Sequence, residues 1–125
     1  MALSFKKVSL MIKMSIRVKP NVSAQKEFEQ ALVGMQIEDT HISGLIEKCR
    51  NDKGCINYVL HRENENIFCL ESEWQSRREL KDHFRGKDFM LLMGAVDVLC
   101  EKPVVKITDG KSSFGMEFIK SVLEK

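Results

Sequence analysis

The chain has 125 residues, about the length of one domain and enough to enclose a core of its own. With 43% hydrophobic residues, 30% charged ones, 7 Gly and 2 Pro, it reads as a globular protein and not as a disordered or collagen-like chain. Lys and Arg total 20 against 18 Asp and Glu, a formal charge of +2 with both signs scattered; no basic block follows a phosphate backbone, which argues against nucleic acid as a partner.

Uncharged stretches such as 89–96 reach about eight residues, against the ~20 that cross a bilayer as a helix. Lys6, Lys7, Lys13 and Arg17 interrupt what would have to be the apolar part of a secretory signal. A cytoplasmic protein without membrane contact is expected. Cys49, Cys55, Cys69 and Cys100 form no CxxC pair and no Cys/His spacing of the zinc type. They read as reduced, buried, small apolar residues, and no metal is expected.

Along 11–19, Ile12, Met14, Ile16 and Val18 alternate with polar residues, the period of a half-buried strand. Pro20 and Asn21 stop it. Ser23 is the expected N-cap of a helix whose stripe is Phe28, Ala31, Leu32 and Met35, repeated by Ile42, Leu45, Ile46 and Cys49. Gly34 and the polar run 38–41 interrupt that stripe, so two helical pieces are expected. After the Asp52-Lys53-Gly54 turn, 55–63 and 67–74 are rich in β-branched and aromatic residues and read as a hairpin. Ser76 and Glu79 make a capping box for a helix carrying Leu80, His83 and Phe84. Asp88 is the expected cap of a second, more apolar helix with Phe89, Leu92, Met93, Val96, Leu99 and Cys100 on its stripe. Pro103 precedes a last strand, 104–108.

Strand, helix, strand, strand, helix, strand is the α+β order of a ferredoxin-like βαββαβ sandwich, with a four-stranded antiparallel sheet covered by helices on one face. Ile56, Tyr58 and Leu60 on one side of the second strand and Cys55 and Val59 on the other put apolar groups on both faces. A second copy of the chain is the simplest cover, which predicts a two-fold homodimer packed sheet to sheet. Residues 110–125 add an amphipathic helix with Phe114, Phe118, Ile119, Val122 and Leu123 on one side. It is too short to stand free, and packs on its own domain or across the dimer.

Several residues carry a family resemblance: Gly54-Cys55 opening the second strand, Tyr58 just after, Glu73-Trp74 closing the third, His83 on the next helix, Asp88-Phe89 opening the helix after it, and Pro103 before the last strand. In these the chain resembles the antibiotic biosynthesis monooxygenase (ABM) domain family over about 11–109, with the region 36–44 longer than usual. The resemblance implies a dimeric α/β barrel with a mostly apolar cavity between sheet and helices, and residues 1–10 as a flexible extension. It also implies oxygenation of quinols or polyphenols without metal or flavin, although heme-degrading relatives and members without a known reaction share the fold. Those heme-degrading relatives carry a Trp and a His where this chain has His83 and Met93, which disfavours that branch.

Cofactor-free oxygenation needs a base for an electron-rich phenol and a dry cavity. His83 is the candidate base because an imidazole titrates near neutrality; the plainer alternative is a half-exposed ring tied to backbone. Trp74 is a candidate cavity wall, or core. Tyr58 is a candidate donor to a ligand oxygen, or a dimer-interface ring. Phe84 and Phe89 complete the expected substrate-binding set. His41 and His61 have no partner at metal-ligand spacing in the sequence, and Glu73 is expected to pair with a base such as Arg17 on the first strand. A ligand-binding or purely structural module on the same fold stands beside the enzyme reading, since the 7 Met fill gaps easily.

Overall fold

A computed structural model describes residues 11–32 and 41–124. The elements are β1 (Ile12–Val18), a 3-10 turn (Val22–Ala24), α1 (Gln25–Leu32), α2 (His41–Arg50), β2 (Cys55–Asn64), β3 (Ile67–Trp74), α3 (Arg77–Arg85), α4 (Lys87–Leu99), β4 (Val104–Thr108), β5 (Ser113–Phe114) and α5 (Met116–Leu123). The sheet order is β2-β3-β1-β4-β5 and every pairing is antiparallel. This is the ferredoxin-like α+β fold with one short strand added at the edge. The expected flexible extension 1–10 and the expected helix break around Gly34 and 38–40 lie outside the described residues. No helix among the described residues is long and apolar enough to cross a membrane.

Alternation decides which face the helices cover. Ile12, Met14, Ile16 and Val18 of β1, Phe68, Leu70 and Trp74 of β3, Tyr58 of β2, and Val105 and Ile107 of β4 are all buried. They meet Phe28, Ile46, Cys49, Leu80, Phe84, Phe89, Leu92, Val96, Ile119 and Val122 from the helices, forming one core.

Several local expectations need correction. Ser23 lies inside the 3-10 turn, not at a helix cap; Asn21 precedes that turn and its carbonyl takes the Ala24 N–H. Asp88 is in the first turn of α4, whose cap is Gly86; the Gly86 N–H closes on the His83 carbonyl, so the chain restarts a helix without a polar side-chain cap. Residues 113–114 are strand, not helix. The Asp109 carboxylate accepts the N–H groups of Lys111 (3.0 Å) and Ser112 (2.8 Å), and Gly110 adopts φ +93, which reverses the chain onto β4 before α5 begins. That helix docks on its own domain: Phe118 meets Phe84 edge-on at 6.1 Å and stacks on Phe114 at 5.1 Å.

The second strand departs from simple alternation at one point. A register shift between Cys55 and Asn57 takes Ile56 off the row of Tyr58 and Leu60 and leaves it 47% exposed, while Tyr58 points inward and Val59, the register partner of Glu71, lies on the outer face. The rest of the outer face is mainly polar. Glu71 and Glu73 stand on β3, while Lys13, Arg17 and Lys106 stand on β1 and β4 beside it. Glu73 pairs with Lys13 (3.7 Å), its register partner, and not with Arg17, which reaches Glu63 at 2.8 Å.

Candidate functional site

Two turns bring the site together. The tight turn after α2 places Asp52 under α3: its carbonyl takes the Cys55 N–H, and the Gly54 carbonyl takes the Gln75 N–H at the end of β3. Gly54 has φ +85, and a Cβ there would run into the Glu79 side chain, so only glycine suits the turn. The expected capping box at the start of α3 is present, with the Glu79 N–H on Ser76 Oγ at 3.3 Å and the Ser76 hydroxyl donating to Glu79 Oε1 at 3.0 Å. It fixes the helix phase that turns Leu80, His83 and Phe84 inward.

The structure brings all five expected site residues together. His83 is 3% exposed, not half-exposed. Its ring lies 4.5 Å from Trp74 at a 30° tilt, 4.8 Å from Phe89 and 5.5 Å from Tyr58, with Phe84 at 6.2 Å. Tyr58 therefore belongs to this inner cluster, and its alternative as a ring on the outer face falls. The Trp74 indole N–H donates to Ser72 Oγ at 2.9 Å.

Two polar contacts give the imidazole a direction. His83 Nδ1 is 2.8 Å from Asp52 Oδ2, and Nε2 is 3.4 Å from the Tyr58 hydroxyl. The carboxylate accepts, so Nδ1 carries the proton, leaving the Nε2 lone pair to face the Tyr58 O–H. Burial lowers the His83 pKa from its ordinary 6.5, against the opposing pull of the Asp52 carboxylate. The resting ring is neutral, with its basic nitrogen toward the aromatic cluster.

The Cys49 thiol lies against the Tyr58 hydroxyl, and burial, reinforced by Asp52, pushes it up to about 12. Burial likewise raises Tyr58 well above 10. Both stay protonated, and neither is a nucleophile at neutral pH. The Cys49 sulfur, an Asp52 oxygen and a His83 nitrogen lie within 4.8 Å of one another; this donor set also suits a metal ion, at the expense of the Asp52–His83 hydrogen bond. Sequence reading missed Asp52 and Cys49. Asp52 looked like an ordinary turn former, and Cys49 like one more member of an apolar stripe.

The rings are closed on one another. Trp74, Tyr58, Phe84 and Phe89 are each at most 1% exposed, and only the Asp52 side chain, 34% exposed, carries the polar chain toward solvent. Among the described residues, one open cavity of about 400 Å³ lies on the outer face beside Lys13, Asn57, Glu73 and Thr108, and one of about 530 Å³ beside Gln75, Arg77, Asp109 and Lys111. His83 borders neither.

The lowered pKa of His83 makes stability depend on pH. In the unfolded chain the imidazole takes a proton near 6.5, whereas the buried ring resists it until a lower pH. The unfolded state thus binds more protons in that window, and stability falls as pH drops below about 6.5. Melting temperatures measured from pH 8 to 5 are expected to be level at the top and to decline below 6.5, with the decline lost in His83→Gln. Asp109, held at about 2 by backbone N–H groups and Arg77, acts only below its ordinary 3.8, outside the pH range of that measurement.

The family model for antibiotic biosynthesis monooxygenase matches residues 11–90. The chain belongs to the antibiotic biosynthesis monooxygenase family. Solved structures share its fold. A conserved protein from Methanosarcina mazei is 20% identical, with a TM-score of 0.67 over 83% of this chain and 96% of that one. A crystal structure described as an antibiotic biosynthesis monooxygenase gives 19%, 0.63, 78% and 95% in the same order. SnoaB, a cofactor-independent oxygenase from Streptomyces nogalater, gives 13%, 0.62, 82% and 94%. No curated protein matches.

Proposed function

We propose that this family member is a cofactor-independent monooxygenase of a quinol or polyphenol, with His83 as general base. The observation that carries the reading is the neutral imidazole, backed by Asp52 at 2.8 Å and aimed into a cluster of Trp74, Tyr58, Phe84 and Phe89. A hydroquinone and dioxygen give a hydroxyquinone and water: one oxygen atom enters the ring, the other leaves as water, and all the electrons come from the substrate. Removing a phenolic proton makes the ring a stronger reductant, and His83 Nε2 is the atom that accepts it. Apolar rings exclude water from the reactive intermediate. Substrate reaches Nε2 by displacing Tyr58 or Phe89 from the imidazole, since both rings now cover it.

A homodimer completes the proposal. The acidic residues of the outer face stand on β3 and the basic ones on β1 and β4. A two-fold axis along the strands between β1 and β3 lays the β3 of each copy over the β1 of the other, so Glu71 and Glu73 face Lys13 and Arg17 across the contact. Charge complementarity supports the dimer beside the apolar Val59 and exposed Ile56 of β2.

The closed ring packing favours a second reading, a structural or ligand-binding module in which those side chains are simply core. Oxygen uptake over a panel of hydroquinones and polyphenols, with light scattering on the same sample, tests the two against each other. Uptake that follows enzyme concentration, in particles twice the chain mass, is the expected result. Thermal stabilisation by a panel member without uptake would overturn the enzyme and leave the binding module.

A further inference from the structure

We propose that the outward stripe of α4 docks against the same stripe of a second copy of this chain, with the two helices antiparallel and crossing at Gly94. The helix turns Phe89, Leu92 and Val96 into the core. On its opposite side Met90 is 52% exposed, Leu91 51% and Val98 73%. At 3.6 residues per turn these three fall within an arc of about 100°, with Gly94 near its middle. They are three of the seven large apolar side chains exposed among the described residues, so the stripe is a concentration of apolar surface and not scattered exposure. Gly94 adds a separate observation. A glycine inside a helix costs stability against alanine, and a Cβ at this one would meet nothing within 4 Å. Its own domain gives no reason for the missing side chain. The close approach of another helix does, because the side chains at a crossing set the distance between helix axes.

Charge decides the occupant. Exposed Lys87 stands at the start of the stripe, exposed Asp97 near its end, and exposed Glu101 just past it. A two-fold axis through Gly94 sets Met90 of one copy against Val98 of the other and brings each Lys87 to the end that carries Asp97 and Glu101. The pattern is self-complementary in that direction, whereas parallel helices would set like charges side by side. A lipid surface is a poorer match, since Asp97 offsets the one lysine of the stripe. Because α4 covers the inner face of the sheet, its stripe points away from the outer face, and a chain has room for both this contact and sheet pairing. One helix pair falls at the small end of interface sizes, below about 1,200 Å², so the contact forms at high concentration and leaves dilute samples without it.

The contact rests neither on the oxygenase reading nor on sheet pairing. The test is sedimentation of the full chain over a series from micromolar to millimolar. Where sheets pair, the mass is expected to climb from two chains to four and beyond; where they do not, from one chain to two. Val98→Glu and Gly94→Glu should each abolish that climb and keep the melting temperature, since both positions are exposed. Lys87→Glu should weaken the association roughly tenfold by setting like charges together, and Asp97→Lys added to it should restore it. In a Cys55→Ser background, whose remaining thiols are buried, Gly94→Cys places two thiols on the axis, and mild oxidation should join the copies by a disulfide. A mass that does not climb overturns the docking site, as does a climb that survives Val98→Glu, or a Gly94→Cys chain that links no faster than its parent.

Discussion

His83→Ala is expected to lower oxygen turnover, on the hydroquinone oxidised fastest, by about 10²–10⁴-fold, the contribution of a positioned general base. The loss should fall on kcat more than on KM, because the imidazole acts on the proton being transferred and not on the body of the substrate. Asp52→Asn separates catalysis from packing. Asp52 lies outside the ring cluster and its side chain is one-third exposed, so the fold keeps its core, but the imidazole loses the carboxylate that opposes burial. Its pKa then drops further. The acidic limb of the kcat/KM profile should move to lower pH while kcat falls, since a weaker base accepts the phenolic proton less readily. Tyr58→Phe keeps the ring and removes the hydroxyl 3.4 Å from Nε2; it should leave the limb near its wild-type position, because the carboxylate stays. Unchanged turnover in His83→Ala would remove the base assignment, and an unmoved limb in Asp52→Asn would remove the role given to the carboxylate.

The fold was legible where a single period governs an element. Ile12, Met14, Ile16 and Val18 alternate without interruption, and the hairpin from Cys55 to Trp74 is flanked by clear turns, so strand identity and order followed. Ends were less legible, because caps depend on what the neighbouring chain offers. Gly86 closes on the His83 carbonyl and makes a side-chain cap at Asp88 unnecessary. A bulge has no one-dimensional signature, and the one near Cys55 took Ile56 off the inward row of Tyr58 and Leu60, where simple alternation placed it. At the site, the aromatic residues and His83 were legible because each lies on a stripe or strand with one buried side. Asp52 was not: 31 residues separate it from His83, and only the closing of the Gly54 turn onto the end of β3 brings carboxylate and imidazole together.

Trp74→Ala should be the most destabilising single change in the site. The indole is fully buried, stacked on His83 at 4.5 Å and edge-on to Tyr58 at 6.3 Å, and its truncation removes the transfer energy of the ring and leaves a cavity. Such changes cost about 3–5 kcal/mol. For a chain of this length that is a drop in melting temperature of roughly 10–20 °C. The Ser72 hydroxyl also loses its indole donor in a 3% exposed setting, which places the effect toward the upper end. Added indole distinguishes a dry cavity from one that has collapsed or filled with water. A cavity walled by His83 and Tyr58 rings, with Phe89 across the imidazole, keeps an aromatic-shaped void, and indole at tenfold excess over its dissociation constant returns about 1.4 kcal/mol by mass action. Recovery with indole but not with an aliphatic alcohol of similar size would show that the imidazole face accepts a flat aromatic guest, which is the demand that oxygenation of a quinol places on it. A melting temperature within a degree or two of wild type would show that Trp74 is not the packing centre its burial indicates, and the aromatic enclosure of His83 would lose its main wall.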